Sequence, residues 1–177
     1  MTAVASSTEN ASALRRLYLV RFGFAVVWAV LLFVMSKNLG PVTTALLVLY
    51  PLFDVAAAVV DARSSRAAGP VRGLYVNIAI SLLAAVGLAV APGLPAVLTV
   101  WGAWAIVAGL VQLFVGASRR AMGGQWPMIL SGGISVLAGS SFIVMASGAD
   151  PTLASLAGYA TIGGIFFLVS ALRLRRQ

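Results

Sequence analysis

The 177-residue sequence predicts an all-α membrane protein with six transmembrane helices arranged as three tandem two-helix hairpins, at residues 17–61, 72–120 and 126–176. Three observations predict it. Hydrophobic residues make up 61% of the chain and charged residues 9%, with a mean hydropathy of +1.03, outside the range of soluble domains. The apolar residues fall into six runs, each long enough at about 1.5 Å per residue to cross a hydrocarbon core of roughly 30 Å. Pro41, Pro95 and Pro151 recur 54 and 56 residues apart. Each is expected just inside a returning helix, where its missing N–H costs nothing and its fixed φ helps.

In chain order, residues 1–14 are Ser, Thr, Ala and Asn with one Glu, and read as a disordered cytoplasmic tail before a membrane domain at 15–177. Arg15 and Arg16 followed by an apolar run imitate a signal peptide, but the run is too long and a matching helix follows it. The six spans are expected at 17–35, 42–60, 73–91, 96–117, 127–146 and 152–172. The turns between hairpin partners are short, and Asp150 is placed to N-cap the sixth helix. Tyr18, Tyr75 and Trp126 open the three outgoing helices, as an aromatic belt at one interface requires.

Charge placement sets the orientation. Ten of the twelve basic residues fall on the side of the termini, among them Arg63, Arg66, Arg72, Arg119 and Arg120. Lys37 alone falls in a loop on the other side, and Arg21 lies inside a span. The positive-inside rule therefore predicts cytoplasmic termini. A net charge of +8 would suggest nucleic acid in a soluble protein, but arginines at helix ends line no single face, so nucleic acid is excluded as a partner. The expected partner is the lipid bilayer; a homo-oligomer or a membrane-protein partner stays open. The absence of cysteine and histidine removes disulfides, thiolate sites and the commonest metal ligand, so no metal and no cofactor is expected. Asp and Glu total four, and Glu9, Asp61 and Asp150 read as tail or loop residues. Asp54 is then the single intramembrane base available to any nucleophile. No catalytic residue is expected and the chain reads as no enzyme.

Aligning the third and fifth spans sets the segment from Asn77 to Ala85 against that from Ser131 to Gly139. Both carry stripes of small and weakly polar residues, the means by which membrane helices approach closely. Ser81, Ser135, Gly139, Gly109 and Gly163 are accordingly expected at helix contacts. The returning helices show a second stripe: Tyr50, Asp54 and Ala58; Trp104, Ala108 and Gln112; Tyr159 and Gly163. Folding the first hairpin at its turn brings Arg21 and Asp54 to one depth, about 6–9 Å below the basic-side boundary. Intramembrane charges usually pair, so Arg21 and Asp54 are expected as one unit, with Asn77, Gln112 and Ser131 in the same polar layer. Snorkelling of Arg21 to the headgroups is the alternative. It also makes Arg21→Leu the more damaging replacement, since Arg21 could relieve itself if Asp54 were lost.

The segment Trp-Pro-Met-Ile-Leu-Ser-Gly-Gly-Ile-Ser-Val-Leu-Ala-Gly from Trp126, set in three hairpins with proline at each turn, resembles the HdeD family of acid-resistance membrane proteins. The likeness runs from Gly73 to Arg176. The first hairpin departs from it, with Arg21 where the others have Tyr75 and Ile129 and with Tyr50-Pro51 ahead of Asp54. The resemblance implies a six-span bacterial inner-membrane protein linked in some members to acid stress, and supplies no catalytic residues. Two functions follow as expectations: a non-enzymatic stress-related or structural membrane protein, or a small transporter or channel with a proton- or ion-linked role for Asp54.

Overall fold

The computed structural model describes residues 2–65, 72–118 and 126–173. They form six α-helices: α1 (Thr2–Met35), α2 (Pro41–Ser65), α3 (Arg72–Ala89), α4 (Leu94–Ser118), α5 (Trp126–Ala146) and α6 (Ala154–Arg173). All six are long and apolar enough to cross a membrane. In lipid, a helix satisfies its own backbone where nothing else can, so apolar runs of this length have one stable form. The loops at 66–71 and 119–125 and the last residues, with Arg66, Arg119, Arg120, Arg175 and Arg176, lie outside the described residues. The end of the bundle that holds the start of α1 and the end of α6 is its basic side, and the opposite end, with the proline turns, its turn side.

Two element ends differ from expectation. The polar N-terminal segment is no separate tail: α1 is helical from Thr2 and carries it without a break into the span. Ala, Glu and Leu there are adequate helix formers, and the run holds neither Gly nor Pro to stop it. Pro41 is the first residue of α2 and Pro95 the second of α4, but Pro151 lies three residues ahead of α6. The reason is local. The Ala154 N–H donates to the Thr152 hydroxyl at 3.2 Å, and the Leu156 N–H to the Leu153 carbonyl at 3.0 Å. Thr152 therefore starts the helix in place of Asp150, and Pro151 is left in the turn.

The helices close into a ring. Each packs on its chain neighbours, and α1 returns to α6. The closest approaches are α4 with α5, α1 with α6 and α2 with α3, not the partners joined by the proline turns. Small residues decide this. A Cβ added at Gly102 would stand 2.6 Å from the Gly139 carbonyl, and one at Gly139 would stand 2.5 Å from the Gly102 carbonyl. Gly109 and Gly132 repeat the reciprocal contact two turns on, at 2.7 and 2.8 Å. Only glycine lets two backbones meet so closely. Alanines take this role elsewhere: Ala57, Ala58, Ala84 and Ala85 are buried on α2 and α3, and Ala25 meets the Cβ position of Gly164 at 3.2 Å.

The core lies towards the turn side. Trp28, Leu32, Leu47, Leu88, Leu98, Trp101, Leu153 and Leu156 are fully buried there. Trp28 and Trp101 stack with centroids 5.3 Å apart, and Trp104 meets Trp101 edge-on. The Trp28 indole N–H donates to the Leu46 carbonyl at 2.6 Å. The next carbonyl along, that of Leu47, is the one that Pro51, inside α2, leaves without its helical N–H donor, so this turn is loosened.

Candidate functional site

Towards the basic side the same ring is hollow. A cavity of about 140 Å³ runs from Tyr50 and Trp104 at mid-depth to Asp61, Leu74 and Val115 near the basic ends of their helices. Its existence follows from side-chain size. At the level of Asp54 the second stripe supplies only Ala108 and Gly163, and nothing lies within 4 Å of where a Gly163 Cβ would stand. One turn towards the turn side the same stripe supplies Tyr50, Trp104 and Tyr159, whose rings floor the cavity. A polar space of this size holds several water molecules.

Arg21 on α1 donates from Nη2 to Asp54 Oδ1 on α2 in a direct ion pair. Asp54 Oδ2 accepts from Asn77 Nδ2 at 2.6 Å and from the Ser81 hydroxyl at 2.9 Å, both on α3. Ser81 in turn accepts from Trp104 Nε1 on α4 at 3.0 Å. The Arg21 guanidinium lies 4.6 Å from the centre of the Phe167 ring on α6. On the far wall the Tyr159 hydroxyl donates to Ser135 on α5 at 2.9 Å. Five helices thus meet at one charge pair, and the sixth is tied to the fifth beside it. Charge-assisted bonds of this kind are the strong ones in low dielectric.

Arg21 and Asp54 stand at one level on neighbouring helices, as folding the first hairpin at its turn requires. Arg21 turns to Asp54 and not out to the headgroups. The side chains of Arg21 and Asp54 are 14% and 16% exposed, and that exposure faces the cavity.

Of the expected polar layer, Asn77 joins the pair directly. The side chains of Gln112 and Ser131 line the cavity and, like the Tyr50 hydroxyl, form no hydrogen bond among the described residues, so their polar atoms are available to its contents. Ser81, Ser135, Gly139 and Gly109 are buried at helix contacts. Gly163 is not; its neighbour Gly164 makes the contact to α1, while Gly163 faces the cavity. Asp61 is no loop residue. It lies on α2, 4% exposed, on the cavity wall near its basic end. Its spacing of seven from Asp54 puts it on the same helix face, a signal the sequence holds. Phe166 and Phe167 also line the cavity, and nothing in an apolar stretch marks them out.

Among the described residues no three His, Cys, Asp or Glu side chains cluster in a way that suits a metal ion. The side chains brought together here supply hydrogen bonding, ion pairing and contact with aromatic faces. Neither family models, curated proteins nor solved structures give a match to this chain.

Proposed function

We propose that this is a non-enzymatic, multi-pass membrane protein whose basic-side cavity binds a small polar or charged solute and serves a transporter- or channel-type function, with Asp54 as the group that responds to the solute. The observation that supports this best is the cavity itself. It reaches the Arg21–Asp54 pair from the basic ends of the helices and presents the Gln112 and Ser131 side chains and the Tyr50 hydroxyl without partners among the described residues. A purely structural clasp has no use for a polar hollow beside it, since a filled core is the more stable arrangement. The turn-side aromatic core shuts the other end, so the described arrangement is a one-sided, closed form.

A second reading keeps a specific support: Asp54 already has three donors, as a satisfied clasp in a stress-related structural protein of the HdeD type would have. Membership of that family, a role in acid stress, a bacterial inner membrane, cytoplasmic termini and three hairpin repeats all belong to this proposal. The repeat gains support from the bond of Trp104 to Ser81 and its counterpart from Tyr159 to Ser135, one in each of the last two hairpins.

Reconstitution into liposomes loaded with a pH-sensitive dye separates the two readings. Transport predicts flux that Asp54→Asn abolishes; a clasp predicts none from either protein. Orientation is tested by single cysteines at Lys37 and Arg63, both exposed, in a chain with no native cysteine. A membrane-impermeant maleimide should reach Arg63→Cys from the cytoplasmic face and Lys37→Cys from the opposite one.

A further inference from the structure

We infer that the cavity is selective for small organic cations of the guanidinium type; the inference rests on the cavity being a solute site, as proposed above. The starting point is that the wall already holds one such cation. Arg21 meets a carboxylate at its edge, through Asp54, and an aromatic ring at its face, through Phe167. This pairing of acid and π-face is how proteins hold planar and alkylated cations away from water. A free guanidinium in the cavity finds the same two elements: the part of Asp54 that faces the hollow, and the rings of Tyr50, Tyr159 and Phe166. The Gln112 amide oxygen and the Tyr50 and Ser131 hydroxyl oxygens add acceptors for its remaining N–H groups.

An anion fares worse in the same space. Among the described residues Arg21 is the cationic side chain of the cavity wall, and its guanidinium is engaged by Asp54 and covered by Phe167. Aromatic faces repel an anion as they attract a cation. The basic side chains at the helix ends, such as Arg63 and Arg173, stand outside the cavity. A volume of about 140 Å³ limits the solute to a few heavy atoms around the charge. Arg21 acts in this arrangement as a tethered competitor for Asp54, holding the acid until a free cation shares it.

The test is a titration of the full-length protein in lipid nanodiscs with methylguanidinium chloride. It is read by tryptophan fluorescence, to which Trp104 on the cavity floor contributes, with sodium methylphosphonate as the anionic probe at equal ionic strength. Saturable binding of methylguanidinium and none of methylphosphonate is the expected result. Arg21→Ala, which removes the competitor, should tighten methylguanidinium binding by about tenfold or more. Gly163→Leu, which fills the hollow without touching the ion pair, should abolish binding. Should that variant fail to fold, Ala108→Leu fills the same hollow from α4. Binding of methylphosphonate alone, lost in the filled variant, overturns the choice of cation and leaves the cavity function standing. Methylguanidinium binding that Arg21→Ala leaves unchanged also overturns it. Binding of neither probe overturns it too; if dye-detected flux is in addition indifferent to Gly163→Leu, the solute-site reading falls with it.

Discussion

The turn-side and basic-side halves of this bundle are built from the same six helices and nearly the same residue types, yet one is filled and the other hollow. In the filled half, Trp28, Trp101 and six buried leucine side chains close the centre, and the Trp28 indole bond goes to a loosened turn of α2. In the hollow half the centre belongs to Asp54, Ala108 and Gly163, and the aromatic residues form a floor and walls. The lesson is one of side-chain volume at a repeated position. A single step of one helical turn along the second stripe, from Tyr50, Trp104 and Tyr159 to Asp54, Ala108 and Gly163, changes a plug into a cavity. The charge pair then stands beside a hollow, and water in that hollow would lower the cost of burying it.

The largest effect that should sharpen this comparison is at Asp54. Asp54→Leu removes the acceptor of three donors at once and leaves Arg21 at mid-bundle, and a guanidinium has no neutral form to adopt. A loss on the order of 3–5 kcal/mol is expected in a detergent melt, at the lower end if cavity water reaches Arg21. Arg21→Leu should cost less, because Asn77 and Ser81 still hold the carboxylate. That order reverses the expectation from sequence, which allowed Arg21 to escape to the headgroups. The double replacement by leucine should recover much of the loss, and simple additivity in the cycle would show that the two charges act separately.

Next comes a contrast between glycines. Gly139→Ala places a methyl 2.5 Å from the Gly102 carbonyl and should cost about 1–3 kcal/mol as α4 and α5 are forced apart. Gly163→Ala meets open space and should be neutral or stabilising by roughly 0.5–1 kcal/mol from helix propensity. Thermal melts of the two variants side by side check this. Equal melting shifts would mean that the two halves of the bundle do not differ in packing as described.

Much of this was legible in the sequence, and the illegible parts have a common cause. Six apolar runs and their proline turns identify the helices because lipid leaves the backbone no other solution. Arg21 and Asp54 could be matched by depth, since helical rise is fixed. Pairing across the ring was not legible: hairpin connection suggests that α3 belongs with α4, while the glycine register of α4 commits it to α5. The cavity was not legible either. It depends on which of two adjacent glycines, Gly163 or Gly164, faces inward, and a uniformly apolar helix carries too little polar contrast to show its inner face. Asp61 was misplaced for the simpler reason that α2 continues past its most hydrophobic stretch.

The smallest effects concern the two aromatic-to-serine bonds. Tyr159→Phe deletes one hydrogen bond and keeps the ring, so about 1 kcal/mol or less is expected. Trp104→Phe deletes the matching bond and also frees Ser81 beside Asp54, so it should cost somewhat more. A Tyr159→Phe variant less stable than Trp104→Phe would place the weight of the network on the α5–α6 wall instead of the ion pair.

The central claim, that the basic-side half is a water-accessible cavity and the turn-side half a dry core, is tested most directly by cysteine accessibility. Gln112→Cys on the cavity wall and Leu98→Cys in the aromatic core lie on the same helix, in a chain with no other thiol. A small, charged, membrane-impermeant methanethiosulfonate applied to oriented vesicles should modify Gln112→Cys from the basic side alone, and Gly163→Leu should protect it. Leu98→Cys should stay unmodified from either side. A Gln112→Cys that resists the reagent as Leu98→Cys does would contradict the account.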